Sequence, residues 1–308
     1  VLRRLTKGMF SAFIGIDWSG ARGPRQPGIQ LAIARPGKGV PDTWLAEDGR
    51  HWGRDDVRDT LLAEASAANG APVLVGIDFA FAHPFHDEGA YYPGLATSPA
   101  DALSLWHMVE TVCADELHLY GGAMLVADGV GDYYLSPKNH RAPHYRSRRR
   151  STELASRASA RAPSPTFKAI GADNVATGSM AGMRLIHALK AALGPRLAVW
   201  PFDHVTAGSP GDLAMVLVEI FPSYYFHAAG MNPAKNAAAD PAFMNAALAA
   251  YGSEGVRQDY APRGADADEA DAIISAAALR YFAGRPGCWH APREAAREGW
   301  IFGVPPVT

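Results

Sequence analysis

Two short apolar segments of the chain carry the same tripeptide, Gly-Ile-Asp. The first segment, Phe13–Asp17, ends in it, and the second, Pro72–Phe81, carries it as far as Asp78. A carboxylate in an apolar strand loses its hydration, so it shifts its pKa or takes a compensating partner. If the two segments are parallel neighbouring strands, which lie about 4.8 Å apart, Asp17 and Asp78 meet near the carboxyl ends, where α/β sheets bind ligands.

Further acids interrupt two other apolar patterns. Glu219 lies within the predicted strand Ala214–Phe221, and Asp268 and Asp271 lie in the predicted helix Ala267–Ala283. A spacing of three residues puts the two aspartates on one helical face. That face continues through Ile274, Ala278 and Phe282, so it is predicted to point inward. Each acid alone has a structural alternative, since Asp268, for example, can cap its helix.

The chemistry of these side chains favours a hard divalent cation. Carboxylate oxygens without a His or Cys partner prefer Mg²⁺ or Mn²⁺ to zinc. Two such ions about 3.5–4 Å apart stabilise both the attacking and the leaving oxygen in phosphodiester hydrolysis. Gly15 and Gly76 are expected to leave space beneath the acids. The candidate catalytic residues are Asp17, Asp78, Glu219 and Asp271, and the candidate ligands of one or two ions are Asp17, Asp78, Asp268 and Asp271.

The order of predicted elements indicates an α/β fold. The 308 residues, of which 48% are hydrophobic and 19% charged, can bury a sizeable core. Buried strands that alternate with helices predict a sheet with a parallel part. The predicted strands are Phe13–Asp17, Ile29–Arg35, Asp42–Ala46, Pro72–Phe81, Leu197–Phe202 and Ala214–Phe221, with a late edge strand at Gly299–Val304. The predicted helices are Asp55–Asn69, Pro99–Tyr120, Met180–Leu193, Asp240–Tyr251 and Ala267–Ala283.

Basic residues are concentrated in one segment. Between Lys138 and Arg161 there are eight basic residues and one acid, whereas the whole chain has a net charge of −2. Because Tyr133–Thr166 shows little hydrophobic periodicity, we expect a loop or mobile arm there. Such an arm either binds a phosphate backbone, with nearby tyrosines for stacking, or is only a solvated loop. The candidate nucleic-acid contacts are Arg146, Arg148, Arg149 and Arg150.

Several motifs together resemble a known bacterial family, the predicted RNase H-like nucleases (domain-of-unknown-function family 429). In chain order they are IGIDWSGAR, VGIDFAFAHP, PTFKAIGADNVATGSMAGMRLI, VWPFD, VEIFPS, DEADAIISAAA and EGWIFGV. They span the chain from Phe13 to Val304. The helix ADADEADAIISAAAL is similar to the final helix of Holliday-junction resolvases, where two aspartates three apart bind metal.

The resemblance implies a single RNase H-like domain over residues 9–304. Its mixed sheet has five strands in the order 3-2-1-4-5 and is flanked by helices. A long helical and irregular insert occupies residues 83–196, between strands four and five, and includes the basic arm at 138–161. Resolvases of this fold usually place a Glu where Asp78 stands, and Glu219 has no equally secure counterpart.

We therefore expect a divalent-metal-dependent nuclease or phosphodiesterase that acts on a nucleic acid or a nucleotide. Two alternatives remain open. The string IGIDWSGA is similar to the phosphate loop of actin-like and sugar-kinase ATPases, which favours a nucleotide-binding phosphotransferase. A catalytically inert nucleic-acid-binding protein that keeps the fold is the other.

The composition also bears on location. Two cysteines, Cys113 and Cys288, exclude a disulfide framework and fit a reducing cytoplasm. No apolar run approaches the roughly 18–20 residues of a membrane helix. The apolar stretch Met9–Ile16 follows basic residues but is short and lacks a small-residue cleavage site, so we expect no signal peptide. The expected location is cytoplasmic, without a membrane partner.

Overall fold

The computed structural model describes residues 9–47, 49–68, 70–157, 163–171, 174–205, 212–233, 237–264 and 267–306. These residues form a mixed α/β structure in which helices flank a six-stranded sheet. The strands are β1 (Ala12–Asp17), β2 (Gln30–Ala34), β3 (Asp42–Trp44), β4 (Val73–Ile77), β5 (Leu197–Val199) and β6 (Met215–Glu219). The helices are α1 (Arg54–Ala67), α2 (Ala102–Val112), α3 (Ser151–Ser156), α4 (Ala176–Leu193), α5 (Pro222–Ala228), α6 (Pro241–Ala250), α7 (Asp268–Ala283) and α8 (Ala295–Glu298).

The strand order is β3-β2-β1-β4-β6-β5. Strands β1, β2 and β3 form an antiparallel meander, whereas β4, β6 and β5 run parallel to β1. The family resemblance implies five strands in the order 3-2-1-4-5, and this count is wrong, whereas the sequence pattern itself predicts the segments that form β5 and β6. The chain leaving α4 forms the edge strand β5 first and then returns as β6, which pairs directly with β4.

The predicted late edge strand is reduced to a single contact. Ile301 forms an isolated parallel bridge with Glu219, and the Phe302 N–H donates to the Glu219 carbonyl oxygen at 2.8 Å. The segment Gly299–Val304, called the tail below, therefore lies against the carboxyl end of β6.

Alternate residues of the strands feed two hydrophobic cores, one on each face of the sheet. On one face, Ile14 and Val75 pack in the same core as Leu61 of α1, together with residues of α2 and α4. On the other face, Phe13 and Leu74 pack with residues of α5, α6 and α7. The sheet is thus covered on both sides, as the apolar character of its strands requires.

Helix α7 lies directly against β1. A Cβ at Gly15 would stand 2.5 Å from the Ala272 carbonyl oxygen and 2.6 Å from the Ala276 nitrogen. A Cβ at Gly76 would stand 2.9 Å from Leu279 Cδ1. The expectation that these glycines leave space beneath the acids is therefore wrong, because helix α7 and its side chains occupy that space.

The predicted loop or mobile arm at Tyr133–Thr166 is instead packed onto the rest of the molecule where the structure describes it. It contains helix α3, and Arg148 and Arg150 are buried. Ion pairs with acids from distant parts of the chain hold both arginines in place. The predicted arm extends to Arg161, and residues 158–162 lie outside the described part.

Two further observations concern the length of the helices and the state of the cysteines. In the described part of the chain, no helix has the length and apolar character needed to cross a bilayer. Cys113 is buried, Cys288 is half-buried, and both are free thiols.

Candidate functional site

Four aspartates surround the carboxyl edge of the central strands. Asp17 is the last residue of β1, and Asp78 follows the last residue of β4. The two strands are parallel neighbours in the register Ile16 to Ile77, so Asp17 and Asp78 follow paired positions. The Asp78 N–H also donates to the Ile16 carbonyl oxygen at 3.0 Å. The repeated tripeptide thus lies on adjacent strands, as the sequence predicts.

The first turn of α7 adds Asp268 and Asp271 to the same region. Burial raises the pKa of Asp17 well above its ordinary value, and the charges of Asp271, Asp78 and Asp268 raise it further. Burial, followed by the charges of Asp271 and Glu219, likewise raises the pKa of Asp78. All four aspartates are half-buried, so they are surrounded by protein but still accessible. The structure therefore brings together carboxylates from three separate elements.

The donor set suits a hard cation. Its oxygen ligands are of the kind that Mg²⁺ and Mn²⁺ prefer. A cation among Asp17, Asp78 and Asp271 would relieve the repulsion that raises the two pKa values. Within the described residues, no three Asp, Glu, His or Cys side chains already stand close enough to hold an ion. Binding would therefore require the aspartate side chains to move closer together.

One polar atom beside this cluster has no partner among the described residues. The Tyr260 hydroxyl oxygen is buried and makes no hydrogen bond within that part of the chain. Burial raises the pKa of Tyr260, and the charges of Glu269 and Asp271 raise it further, so the phenol stays protonated. Buried hydroxyl groups normally have partners. Tyr260 was not among the residues that sequence reasoning selected, because an isolated tyrosine in a loop carries no pattern.

Glu219 differs from the four aspartates. It is buried, and Arg150 donates to both of its carboxylate oxygens, from Nη2 to Oε1 at 2.5 Å and from Nη1 to Oε2 at 2.7 Å. The Phe81 N–H also donates to Oε2 at 3.1 Å. This arrangement fixes the loop after β4 to β6. The environment of Glu219 indicates a structural role rather than the catalytic role that the sequence suggests.

The predicted nucleic-acid contacts are separated by the fold. Arg148 is buried, with Nη2 donating to Asp87 Oδ1 at 2.5 Å and Nη1 donating to the Tyr91 carbonyl oxygen at 2.8 Å. Arg150 is buried against Glu219. Arg149 is half-buried and donates to a backbone carbonyl, whereas Arg146 is exposed. The burial of Arg148 and Arg150 argues against phosphate contacts by these two side chains.

Glu298 near the tail is a second anchor that the sequence did not reveal. Its Oε1 accepts the N–H groups of Phe85 at 2.8 Å and His86 at 2.7 Å, and its Oε2 accepts the Ser151 N–H at 2.7 Å. Its backbone carbonyl accepts Arg150 Nη1 at 3.0 Å. Glu298 therefore joins the loop after β4, the start of α3 and the tail.

A cavity of about 340 Å³ opens beside Asp78. Its walls come from the loops after β1, β4 and β6, from the start of α4 and from the segment around Arg150. Gly20 in the first loop approaches α4 so closely that a Cβ there would collide with the Thr177–Gly178 backbone. Trp18 Nε1 donates to the Gly178 carbonyl oxygen at 3.1 Å and ties this loop to the helix. Asp78 is thus shared by the aspartate cluster and the cavity.

A scan against protein-family models, a search of curated proteins and a search of solved structures each found no match. The function must therefore be inferred from the fold and the site. The resemblance to RNase H-like nucleases remains a prediction from short motifs.

Proposed function

We propose that this chain is a divalent-metal-dependent phosphodiester hydrolase, a nuclease or phosphodiesterase, on an RNase H-like fold. The observation that carries the proposal is the approach of Asp17, Asp78, Asp268 and Asp271 at one edge of the sheet. The antiparallel meander followed by parallel β4 and β6 supports the fold assignment, with β5 as an added edge strand.

Asp17, Asp78 and Asp271 would hold Mg²⁺ or Mn²⁺, with Asp268 as a further ligand. When bound, such an ion supplies a Lewis acid for a phosphoryl oxygen and acidifies a water molecule at neutral pH. The chain itself fixes the carboxylates. The Trp18 N–H donates to Asp17 Oδ1 at 3.1 Å, and the close packing of α7 on Gly15 sets the distance from α7 to β1.

Calorimetric titration of Mn²⁺ into the metal-free protein tests the site. We expect saturable binding by the wild type and at least tenfold weaker binding by Asp17→Asn. Asp115→Asn is the matched control, because Asp115 is exposed in the segment after α2. Equal affinity in wild type and Asp17→Asn would contradict the assignment of the ligands.

Hydrolysis of bis(4-nitrophenyl) phosphate with Mn²⁺ tests the reaction. We expect turnover by the wild type and by Asp115→Asn, and loss of at least 100-fold in Asp17→Asn and Asp78→Asn. A protein that binds Mn²⁺ through Asp17 but cleaves neither this ester nor any oligonucleotide would favour the catalytically inert alternative.

One observation favours a second candidate, a nucleotide-binding phosphotransferase. The loop after β1, which is similar to a phosphate loop, contributes Trp18 and Gly20 to the cavity wall. ATP binding with transfer of its terminal phosphate to a small acceptor, and no phosphodiester cleavage, would support this candidate over the hydrolase.

A further inference from the structure

The cavity beside Asp78 has the size and form of a small-molecule site. Its volume of about 340 Å³ is within the range of roughly 300–1,000 Å³ for ligand pockets. Asp78 lies in its wall, whereas the other three aspartates do not. A ligand in the cavity would therefore have one end at the aspartate cluster and the rest in a separate compartment.

Aromatic and neutral polar side chains form much of the cavity wall. The rings of Trp18 and Phe79 have centroids 5.8 Å apart, and Phe221 contributes a further ring. Ser223 adds a hydroxyl that can donate and accept hydrogen bonds, and Asn174, whose amide also pairs with Thr177, keeps a second N–H and a second lone pair for a ligand. This combination suits a flat heterocycle with polar edges, because rings stack on its faces and amide or hydroxyl groups pair with its edge.

The charges of the lining residues do not suit a string of phosphates. Among the described residues that line the cavity, Arg150 is the cation, and its guanidinium is engaged by Glu153 and Glu219. Proteins that follow a nucleic-acid backbone place Lys and Arg side chains along it. The cavity therefore favours the uncharged part of a ligand, with any phosphate at the Asp78 end.

We propose that this cavity binds the nucleoside part of a single unstacked nucleotide, with its phosphate directed toward the aspartates. The proposal rests on the proposed phosphodiester hydrolase, and it narrows the substrate to a free nucleotide ester or the terminal nucleotide of a strand. A base within an intact duplex is stacked and paired, so entry would require it to leave the helix.

Gly178 offers a way to fill the cavity. A Cβ at this position would lie 3.8 Å from the Gly20 nitrogen and 4.0 Å from Trp18 Cδ1, which are ordinary contacts. The longer side chain of Gly178→Leu would project among residues that line the cavity. Gly39→Leu is the matched control, because Gly39 is exposed with open space around it.

Calorimetry with adenosine and uridine 5′-monophosphate in the presence of Mn²⁺ tests the cavity. We expect the wild type and Gly39→Leu to bind at least one nucleotide, and Gly178→Leu to bind it at least tenfold more weakly. Ser223→Leu is a second filling variant, used if Gly178→Leu fails to fold. Inorganic phosphate should bind the wild type at least tenfold more weakly than the nucleotide.

Three results would overturn the cavity proposal. They are no nucleotide binding by the wild type, equal binding by a folded filling variant, and equal affinity for phosphate and nucleotide. Nucleotide binding that is lost in the filling variant, in a protein without phosphodiester cleavage, would support the cavity and contradict only the proposed hydrolase.

A substrate panel distinguishes the two nucleotide sources. The probes are the 4-nitrophenyl ester of thymidine 5′-monophosphate, a linear single-stranded oligonucleotide and a covalently closed duplex circle. Turnover of the ester alone indicates a free nucleotide ester, and turnover of the linear strand from its end indicates a terminal nucleotide. Cleavage of the closed circle as fast as the linear strand would overturn the proposal while leaving the hydrolase intact.

Discussion

The surroundings of Asp17 and Asp78 disfavour the charged form of both side chains. Burial and the neighbouring acids raise the pKa of both carboxyls, so the folded protein holds protons there that the unfolded chain releases. Residues that serve a ligand often lower stability in this way when the ligand is absent. The stability that Asp17 and Asp78 cost the protein is therefore consistent with a ligand-binding site. Packing of the core does not explain it.

The raised pKa values predict how stability depends on pH without divalent ions. Because folded Asp17 and Asp78 bind protons more tightly than the unfolded chain, their contribution to folding is most favourable at low pH. It is lost as the pH rises from about 4, the ordinary carboxyl value, through the raised values. We expect Asp17→Asn to be more stable than the wild type at pH 8, by about 0.5–2 kcal/mol, with the difference vanishing near pH 4.

Urea unfolding in a chelator at several pH values measures this difference. Asp115→Asn should follow the wild type at every pH. If Asp17→Asn were less stable than the wild type at pH 8, the charge of Asp17 would not destabilise the folded protein, and the prediction would be wrong.

Glu219 makes a contrasting prediction at the same scale. Its carboxylate pairs with the buried Arg150 and accepts the Phe81 N–H, so its removal leaves a buried cation with fewer partners. Breaking a buried pair typically costs about 3–5 kcal/mol. We expect Glu219→Gln to lose about 3 kcal/mol of unfolding free energy while its affinity for Mn²⁺ changes less than threefold. A stable variant that has lost Mn²⁺ binding would instead make Glu219 a ligand.

At the scale of elements, helix α7 could be predicted and the environment of helix α2 could not. The apolar face of the helix predicted over Pro99–Tyr120 includes Leu103 and Leu117. In the structure α2 ends at Val112, Leu103 is 59% exposed and Leu117 is 74% exposed. Periodicity identifies an apolar stripe, but which flank of the stripe meets the core depends on neighbours that are distant in sequence.

The basic segment shows more clearly that local sequence does not reveal contacts with distant residues. Arg150 is separated from Glu219 by 69 residues and from Glu298 by 148, and these partners make it an internal residue. A local run of arginines resembles a solvated arm because only one acid within the segment, Glu153, is available to neutralise it. The two Gly-Ile-Asp segments, in contrast, were predictable as strands because each apolar pattern is local; their parallel pairing was a supposition, which the structure bears out.

The contact between α7 and β1 gives a prediction for Gly15→Ala. The added methyl group meets the backbone of α7 and not the end of a flexible side chain, so the helix must move. Overpacking of this kind costs about 1–3 kcal/mol. Because α7 carries Asp268 and Asp271, we expect Mn²⁺ affinity to fall as well. Gly39→Ala, in open space, should change neither the urea midpoint nor the Mn²⁺ titration.

At the scale of the whole molecule, the net charge of −2 conceals how the charges are placed. Arg148 and Arg150 are paired inside the protein, and acids dominate the edge of the sheet where the site lies. Within the described part of the chain, Arg148 and Arg150 therefore do not contribute to the basic surface that the sequence suggests, whereas Lys138, Arg141, Arg146 and Arg157 remain exposed.

This distribution predicts a weak dependence of nucleic-acid binding on salt. A protein with 6–10 phosphate contacts loses about 10³–10⁵ in affinity between 50 and 200 mM salt. Because Arg150, the cation among the described residues that line the cavity, is ion-paired, we expect a single-stranded oligonucleotide to lose about tenfold or less. Fluorescence anisotropy at several salt concentrations measures the slope. A loss above 10³ would show that cations elsewhere, such as Arg146, follow the backbone.

The anchoring of the tail has a consequence for synthesis on the ribosome. Glu298 holds the Phe85 N–H, and Ile301 forms part of the cavity wall. Glu298 is made 213 residues after Phe85, which at 5–20 residues per second is a delay of roughly 10–40 s. During that interval β1 and β4, which carry Asp17 and Asp78 at their ends, have already been synthesised. The loop after β4 still lacks its hydrogen bonds to Glu298. A nascent chain should therefore stay unable to bind a nucleotide until Glu298 and Ile301 have emerged from the exit tunnel.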